Sequence, residues 1–342
     1  MINAVILAAG EGKRMKSRKA KVVHKALGKE IVKWVADAAR GAGAEKICVV
    51  VGHKEEQVRE CLGESVEYAV QKEQKGTGHA VMMAEAFLEK NQGTVLVLCG
   101  DAPLIKEETL KKVIEEHKKK KNACTVISAL IDCPDGYGRI VRDETGKFLS
   151  VTEHKDCTAG QLRIKECNAG MYCFEVKDLL PALKKINCCN NQNEYYITDV
   201  PAVMSKEGLG VDTYILEDKD EMFGINDRIQ LAEATEILRE RYVRKNMEAG
   251  VTFIKPDSCY VSPDAEIGED TIIYPNCIIE GMTKIGPDCI IGPDSRISDA
   301  EIGRGTEINK SVIVESSIGN ETKVGPFAYV RPGNRVGDHV KV

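Results

Sequence analysis

The sequence lacks any segment that would cross or target a membrane. No apolar run reaches the roughly 18–20 residues needed to span a bilayer, and no charged region precedes the apolar stretch at residues 2–10. That stretch is typical of a first strand and not of a signal peptide. A formal net charge of −5 is not that of a general nucleic-acid binder, whose surface is basic. We therefore expect a cytoplasmic protein without nucleic-acid or membrane partners.

Close cysteine pairs of the CxxC type are also missing, although the chain has 13 cysteines. Only Cys188 and Cys189 are adjacent. Because zinc sites usually bring closely spaced ligand pairs, we expect no structural zinc. Without an export signal, reduced thiols are favoured over disulfides.

The first two thirds of the chain alternate short β-rich runs with amphipathic stretches. The predicted buried strands cover residues 4–7, 46–51, 94–98 and 124–129. The predicted helices cover residues 31–40, 78–88 and 107–119. This alternation is typical of βαβ units with a mostly parallel sheet covered on both faces. One longer helix is predicted at residues 227–250, with Gly250 as its stop.

From Val261 onward an aliphatic residue recurs every six positions. The series is Val261, Ile267, Ile273, Ile279, Ile285, Ile291, Ile297, Ile302, Ile308, Val314, Ile318, Val324, Val330, Val336 and Val342. One five-residue step precedes Ile302 and one four-residue step follows Val314. Such hexads are typical of a parallel β-helix, in which three hexads form a triangular turn around stacked aliphatic residues. Cys277 and Cys289 share one small-residue position of the repeat, so we interpret them as packing residues.

A glycine-rich turn follows the first predicted strand, at residues 7–15 (LAAGEGKRM). It has no Gly-Lys-Ser/Thr of a Walker A loop, and Met15 replaces the third glycine of the dinucleotide motif. Small residues allow the backbone N–H groups to approach an anion. Eight Lys and Arg residues and no acidic residue lie between Lys13 and Lys29. We expect most of them to lie on a solvated surface and two or three to bind a polyphosphate. Nucleotidyl transfer requires the negative charge of such a ligand to be offset.

A second candidate position is Gly100-Asp101, after the strand predicted at residues 94–98. Ligands of open α/β sheets bind beyond the carboxyl ends of the strands. A carboxylate there suits Mg²⁺, which takes oxygen ligands and bridges to phosphates. From the residues alone, a turn or N-cap before the helix near Glu107 is the favoured interpretation of Asp101.

Several segments in the same order resemble the sugar-1-phosphate nucleotidyltransferases. They are residues 7–15 with Lys21, 71–80 (QKEQKGTGHA), 136–140 (GYGRI), 153–156 (EHKD), 168–170 (NAG) and 194–199 (EYYITD). Together with the hexads, the chain resembles the bacterial bifunctional N-acetylglucosamine-1-phosphate uridylyltransferase and glucosamine-1-phosphate N-acetyltransferase family. The resemblance implies a Rossmann-like nucleotidyltransferase domain at residues 1–226, a linker helix at 227–250 and an incomplete left-handed β-helix acetyltransferase domain at 251–342.

The resemblance also implies the site residues. Arg14 and Lys21 are implied to stabilise the charge of the triphosphate during transfer. The implied nucleotide-binding residues are Leu7, Ala8, Ala9, Gly10, Lys21, Gln71, Gly76, Thr77, Gly100 and Asp101. The implied sugar-binding residues are Gly138, Glu153, Asn168, Thr198 and Asn226. Asp101 and Asn226 are implied to hold Mg²⁺, and an N-cap of the long helix is a second interpretation of Asn226.

The implied reaction uses no protein nucleophile. A phosphate oxygen of N-acetylglucosamine 1-phosphate attacks the α-phosphorus of UTP, and UDP-N-acetylglucosamine, a cell-wall precursor, forms with pyrophosphate. The family forms homotrimers through the β-helix and uses acetyl-CoA as co-substrate of its second activity. Of that second site the chain keeps Arg331. Because the hexads run on to Val342 without a capping unit, we expect a truncated form. The resemblance implies that the catalytic histidine of acetyl transfer would lie beyond Val342, so we expect no acetyl transfer.

Three further interpretations stay open. Another sugar nucleotidyltransferase with a β-helix tail, such as an ADP-glucose or GDP-mannose synthase, is disfavoured by the segment from Gln71 to Thr77 and by the Ala-Ala-Gly turn at residues 8–10. A non-catalytic regulatory subunit is disfavoured because Arg14, Lys21, Asp101 and Asn226 are all present. For His79, a packing role at a helix start and a catalytic role are equally supported.

The run at residues 117–121 (HKKKK) is predicted to be a solvated helix end.

Overall fold

A computed structural model describes residues 1–342 and divides the chain into two compact units. The first comprises Met1–His24 and Glu30–Leu231, and the second comprises Lys25–Lys29 and Ala232–Val342. No helix in either unit combines the length and the hydropathy that a membrane span requires. None of the 13 cysteines forms a disulfide.

The first unit is built on one sheet of nine strands. The strands up to residue 215 are β1 (Ile2–Leu7), β2 (Lys25–Ala26), β3 (Lys29–Glu30), β4 (Lys46–Val51), β5 (Glu67–Val70), β6 (Thr94–Cys99), β7 (Cys124–Leu130), β8 (Arg139–Arg142), β9 (Phe148–Thr152), β10 (Glu166–Glu175) and β11 (Val211–Ile215). The sheet order is β11-β7-β10-β6-β1-β4-β5, with β8 paired to β10 and β9, whereas β2 and β3 pair only with each other. The central strand β1 pairs in parallel with both β4 and β6.

Helices cover the two faces of this sheet, and a buried apolar cluster lies on each side. They are α1 (Ile31–Gly41), α2 (Glu55–Leu62), α3 (Thr77–Met83), α4 (Glu85–Lys90), α5 (Glu107–Lys120), α6 (Val176–Leu183) and α7 (Asp199–Lys206). The last helix, α8 (Arg228–Glu248), lies mostly in the second unit. The helix expected at residues 78–88 is divided, because α3 and α4 meet at Ala84. The parallel sheet with helices on both faces was predicted from the sequence and is confirmed.

The ten-residue strand β10 was not predicted, and it runs against its neighbours. It pairs antiparallel with β6 and β7. The pairing with β7 is irregular between Asn168 and Tyr172, where Gly170 has a φ of +71°. A cysteine sulfur lies 3.0 Å from the position that a Cβ on Gly170 would occupy, so a side chain there would crowd Cys99.

The second unit is a left-handed parallel β-helix, as the hexads predicted. Its strands β12–β26 are Thr252–Phe253, Tyr260–Val261, Glu266–Ile267, Ile272–Ile273, Ile278–Glu280, Lys284–Ile285, Ile290–Ile291, Arg296–Ser298, Glu301–Ile302, Glu307–Ile308, Val312–Val314, Ser317–Ile318, Lys323–Val324, Tyr329–Val330 and Arg335–Val336. They stack as three parallel five-stranded sheets. Cys277 and Cys289 lie in its apolar core, in agreement with a packing role.

One position of the aliphatic series was wrong. Ile313, and not Val314, is the buried residue that stacks on Ile297, and Val314 pairs with Ser298 beside it. The chain therefore takes two five-residue steps, from Ile308 to Ile313 and on to Ile318, instead of a hexad followed by a four-residue step. Val312, Ile313 and Val314 are all β-branched, so the composition alone did not identify the inward one.

Asp227 caps the N-terminus of α8. Its Oδ1 accepts hydrogen bonds of 2.9 Å from the backbone N–H groups of both Ile229 and Gln230. The cap considered for Asn226 is thus made by its neighbour, and the side chain of Asn226 is left for another contact. This arrangement fits the general use of aspartate at helix starts.

Candidate active site

A cavity of about 250 Å³ lies at the carboxyl ends of the parallel strands β1, β5 and β6. Its walls come mostly from the ends of these strands and the segments after them, together with Lys21, Val22 and Glu194. All of the predicted nucleotide-binding residues except Gly100 line it. Gly100 is not exposed to the cavity. Its N–H donates to the Leu7 carbonyl oxygen at 2.9 Å. A Cβ on Gly100 would be 2.8 Å from that oxygen, so the close approach of β1 and β6 needs glycine there.

The turn after β1 exposes backbone to this cavity. The Ala8 N–H donates to the Val50 carbonyl oxygen at 2.8 Å, which ties the start of the turn to β4. A Cβ added to Gly10 would meet no atom within 4 Å, so space for a ligand lies directly above this residue. Gly12 has a φ of +63°, and a Cβ there would be 2.6 Å from the Cβ of Lys21. The turn therefore needs glycine to lie against Lys21.

Lys21 holds together two residues from distant parts of the chain. Its ammonium group donates to Oδ2 of Asp101 and to Oδ1 of Asn226, the latter at 3.2 Å. The backbone supports this arrangement, because the N–H of Ile225 donates to the carbonyl oxygen of Asp101 at 2.9 Å. Three of the four residues whose presence disfavours a non-catalytic subunit are therefore joined through the Lys21 ammonium group.

The donor set of this cluster fits a divalent cation. A carboxylate oxygen of Asp101 and an amide oxygen of Asn226 converge on one positive charge, which Lys21 supplies. Oxygens of these two kinds are ligands of hard cations, and Mg²⁺ in nucleotide sites commonly takes one or two protein oxygens and completes its shell with phosphate and water. No group of three or more His, Cys, Asp or Glu side chains is arranged for a metal, so phosphate would have to supply further ligands.

Gln71 lies almost fully buried at the opposite wall, after β5, with 3% of its surface exposed. Its Nε2 donates to the Gly76 carbonyl oxygen at 3.1 Å and lies 3.0 Å from Nδ1 of His79. Both contacts use the amide nitrogen, so the amide oxygen is the atom that remains for a ligand. The hydroxyl oxygen of Thr77 accepts a hydrogen bond of 3.1 Å from the N–H of Ile197 and helps to fix this loop.

Four of the five predicted sugar-binding residues form a second group, whereas Asn226 lies in the Lys21 cluster. Thr198 donates through Oγ1 to Glu153 Oε1 at 3.1 Å, and both residues line a cavity of about 440 Å³. The N–H of Asn168 donates to the Gly138 carbonyl oxygen at 2.9 Å. Burial raises the pKa of Glu153, and the nearby acidic groups Asp156, Asp199 and Glu194 add to the effect, against the hydrogen bond from Thr198.

Both polar atoms of the Asn168 side chain form hydrogen bonds within the protein. Its Nδ2 donates to the Tyr172 hydroxyl oxygen at 2.8 Å, and its Oδ1 accepts from the N–H of Gly170 at 3.1 Å. These contacts hold the side chain in one orientation at the irregular part of β10. A bound sugar would therefore find only the part of the hydrogen-bonding capacity of Asn168 that these two contacts leave free.

Six of the predicted site residues are not in the walls of these two cavities: Gly100, Gly138, Asn168 and Asn226, whose contacts are given above, and Arg14 and Arg331. Arg14 is exposed on the 3₁₀ turn Lys13–Met15, and it is not part of the wall of either one. Arg331 is exposed in the β-helix, where its carbonyl oxygen accepts from Nδ2 of Asn334 at 2.7 Å. The structure gives neither side chain a partner that assigns its role.

Cys99 is a wall residue that the sequence analysis did not select. Its Sγ donates to the Gly170 carbonyl oxygen at 3.1 Å, and burial raises the pKa of the thiol to about 12. A thiol of this kind stays protonated near neutral pH and is a poor nucleophile. This state agrees with a reaction that forms no covalent enzyme intermediate.

Glu221 is a second residue that the sequence did not reveal. It is buried, with Oε2 accepting from the Lys106 N–H at 3.0 Å and Oε1 accepting from the Thr109 hydroxyl at 2.9 Å. It thereby supplies acceptors at the start of α5 from the turn Lys219–Met222. That turn leads directly to Asn226, so the contact fixes the segment that carries a cluster residue. No motif marks such a long-range cap.

Two domain families match the chain. Residues 4–184 match the MobA-like NTP transferase domain, and residues 253–342 match the GMPPB C-terminal domain. The bifunctional protein GlmU of Acetivibrio thermocellus is 51% identical over 339 residues, which cover 99% of this chain and 74% of that protein. The chain belongs to the GlmU family. The GlmU proteins of Caldanaerobacter subterraneus subsp. tengcongensis and Clostridium novyi are 49% and 48% identical, over 96% and 99% of this chain and 72% and 75% of theirs.

A solved structure agrees on the fold. A protein of Bacillus anthracis, provisionally assigned as a glucose-1-phosphate thymidylyltransferase and solved in complex with a sucrose, superposes with a TM-score of 0.58 at 18% identity, covering 70% of this chain and 96% of that one. The GlmU family confirms the enzyme class predicted from the sequence. The chain is a nucleotidyltransferase of a bifunctional uridylyltransferase and acetyltransferase family, with a role in making cell-wall precursors.

Proposed function

We propose that the first unit transfers the uridylyl group of UTP to N-acetylglucosamine 1-phosphate in the presence of Mg²⁺. The observation that carries the proposal is the contact of Lys21 with Asp101 and Asn226, directly beside the open backbone at Gly10 and across the cavity from Gln71. The Lys21 ammonium, the Asp101 carboxylate, the backbone at Gly10 and the Gln71 amide all line this cavity.

In this reaction a phosphate oxygen of the sugar phosphate forms a bond to the α-phosphorus of UTP. The bond from the α-phosphorus to the oxygen bridging to the β-phosphorus breaks, and pyrophosphate leaves with its electron pair. No proton has to move, so the protein contributes positioning and charge stabilisation. When bound, Mg²⁺ would offset phosphate charge and orient the reactants.

Each group of residues then has a defined task. Asp101 and Asn226 would hold the divalent cation, and the ammonium of Lys21 would neutralise phosphate charge. The N–H groups of the turn at Ala8–Gly10 would face the phosphates, since small residues keep the backbone open there. Glu153 and Thr198 would hold hydroxyls of the sugar. Arg14, whose side chain is exposed, is assigned to the triphosphate on the resemblance.

Pyrophosphate release tests the proposal. The chain is incubated with Mg²⁺ and N-acetylglucosamine 1-phosphate, and UTP is compared with ATP, GTP, CTP and dTTP. We expect the fastest release with UTP and a loss of release when EDTA is added. Glucose 1-phosphate serves as the control for the acetamido group. Release with ATP or GTP but not with UTP would support an ADP-sugar or GDP-sugar synthase, and no release with any nucleotide would support a non-catalytic subunit.

Acetyl transfer from acetyl-CoA to glucosamine 1-phosphate by the 342-residue chain stays a separate prediction, and the expected result is none. Free coenzyme A formed by the isolated chain would contradict it. Assembly as a homotrimer through the β-helix is likewise a prediction. It is supported by large exposed apolar side chains on this unit, among them Ile254, Met282, Phe327 and Tyr329. Light scattering of the purified chain gives the oligomeric state directly.

A further inference from the structure

Every N–H bond of the Gln71 side chain has a partner inside the protein. A primary amide nitrogen carries two hydrogens, and Nε2 of Gln71 has two acceptors, the Gly76 carbonyl oxygen at 3.1 Å and His79 Nδ1 at 3.0 Å. With both hydrogens engaged, the side chain offers a ligand only the lone pairs of Oε1. The residue at the candidate base position is therefore an acceptor without a donor.

His79 can play this part only as a neutral ring. Nδ1 must accept, so the ring proton is on Nε2. Burial lowers the pKa of His79, and Lys75 adds to the effect, while Glu73 opposes it. The ring of Tyr195 lies with its centroid 6.5 Å from that of His79. The neutral imidazole is thus the state that this environment favours.

We propose that His79 is a positioning residue for base selection. By accepting the second N–H of Gln71, His79 leaves Oε1 as the only group of that side chain that can face the base. The site then selects pyrimidines with a ring N–H opposite Oε1. The proposal rests on the proposed function, because it takes Gln71 as the residue that contacts the base.

Uracil and cytosine differ at N3, the ring atom that would face Oε1 of Gln71. Uracil and thymine carry a hydrogen on N3 that Oε1 can accept. N3 of cytosine carries a lone pair, which would face Oε1 and leave both acceptors unpaired. A buried site built around a hydrogen bond rejects an analogue that lacks the matching partner, because a desolvated polar group is left without one. If His79 no longer accepted, the Gln71 amide would be free to turn over and present an N–H to N3 of cytosine.

The test compares UTP with CTP in two variants at this position. His79→Leu removes the acceptor, whereas His79→Asn can return one through its amide oxygen. Met82→Ala is the matched control, because Met82 lies on the same helix α3 and shares with His79 a neighbouring apolar cavity of about 520 Å³. Circular dichroism and a thermal melt establish that each variant is folded. Calorimetry gives the dissociation constants of UTP and CTP, and pyrophosphate release gives kcat/KM.

We expect the preference of His79→Leu for UTP over CTP to fall by about tenfold or more, which corresponds to the loss of one specific hydrogen bond. His79→Asn should recover most of the preference, and Met82→Ala should keep it. An unchanged UTP to CTP ratio in folded His79→Leu would overturn the role of His79. Should Met82→Ala lose the preference to the same extent, packing and not the acceptor would be responsible, and the proposal would also be wrong.

A failure of the proposed uridylyl transfer would give a different set of results. If the unaltered chain releases no pyrophosphate from UTP but binds UTP more tightly than CTP, the proposed reaction is wrong while base selection by His79 can still be measured through the dissociation constants. If the unaltered chain shows no preference between the two nucleotides, the selection proposal is wrong even where transfer occurs.

Discussion

The ammonium nitrogen of Lys21 lies 3.2 Å from Oδ1 of Asn226, although 205 positions separate the two residues in the sequence. The same nitrogen donates to Asp101. A lysine that fills the space between two oxygen ligands neutralises them when no other cation is bound. The contact therefore both identifies the cluster and suggests that Lys21 and a divalent cation compete for the same oxygens.

Substitution of Lys21 tests this competition. In Lys21→Met the oxygens of Asp101 and Asn226 lose their internal cation, so we expect the nucleotide-free chain to bind Mn²⁺ several-fold more tightly, while uridylyl transfer falls. Electron paramagnetic resonance of free Mn²⁺ measures the affinity. Lys19→Met removes an exposed charge of the same basic run and should change the affinity little. Weaker Mn²⁺ binding by Lys21→Met would contradict the competition.

Glu153 provides a test based on pH. Its pKa in the folded chain is raised by burial, so the folded state holds this proton more strongly than the unfolded state. The ionised carboxylate therefore destabilises the fold, increasingly as pH rises above its ordinary value of 4.5. Glu153→Gln should raise the melting temperature at pH 8, with a difference that shrinks toward pH 4, and should weaken binding of the sugar phosphate. A variant less stable than the unaltered chain at pH 8 would argue against a costly buried charge.

Glu221 tests the support of the segment that carries Asn226. Glu221→Ala leaves the Lys106 N–H and the Thr109 hydroxyl without their acceptors, in a place where only 2% of Glu221 is exposed. We expect a loss of about 3 kcal/mol in the free energy of unfolding by urea. Glu217→Ala, which breaks an exposed ion pair with Lys112, should cost less than about 1 kcal/mol. Equal losses in the two variants would show that Glu221 is not a structural cap.

Much of the fold could be predicted because strong local patterns encode it. The apolar runs at Lys46–Val51 and Thr94–Cys99 are buried on both faces, and the hexads repeat one unit many times. The antiparallel direction of β10 could not be predicted, since strand direction depends on long-range pairing and leaves no mark in composition. The position of Ile313 within three β-branched residues was missed for a similar reason.

The burial of His117 follows from the helical spacing of the residues before it, but the lysines after it favoured the opposite interpretation. The lysines that follow it suggested a solvated helix end, yet His117 is only 1% exposed, and its Nδ1 lies 2.9 Å from the Thr125 hydroxyl oxygen. Leu110, Val113 and Ile114 precede it at helical spacing and are buried. Continuing that stripe by three residues would have placed His117 against the sheet.

The candidate site divides in the same way. Gly10 and Asp101 follow predicted strands, so their place at the cavity could be expected from the sequence. Gln71 follows β5, a strand that was not predicted, and was found through the resemblance. Asn226 was found through the resemblance, but the assignment of the helix cap to Asp227 needed the structure. The hydrogen bond from Gln71 to His79 depends on side-chain orientation, which no spacing rule gives.

The most direct test of the account is pyrophosphate release by Asp101→Asn, which keeps the size of the side chain and removes its charge. With UTP, N-acetylglucosamine 1-phosphate and increasing Mg²⁺, we expect a rate at least about 100-fold below that of the unaltered chain, with folding intact. Asp135→Asn, an exposed aspartate, is the control and should remain fully active. Near-normal release by folded Asp101→Asn at low Mg²⁺ would contradict the central claim that Asp101 holds the cation required for transfer.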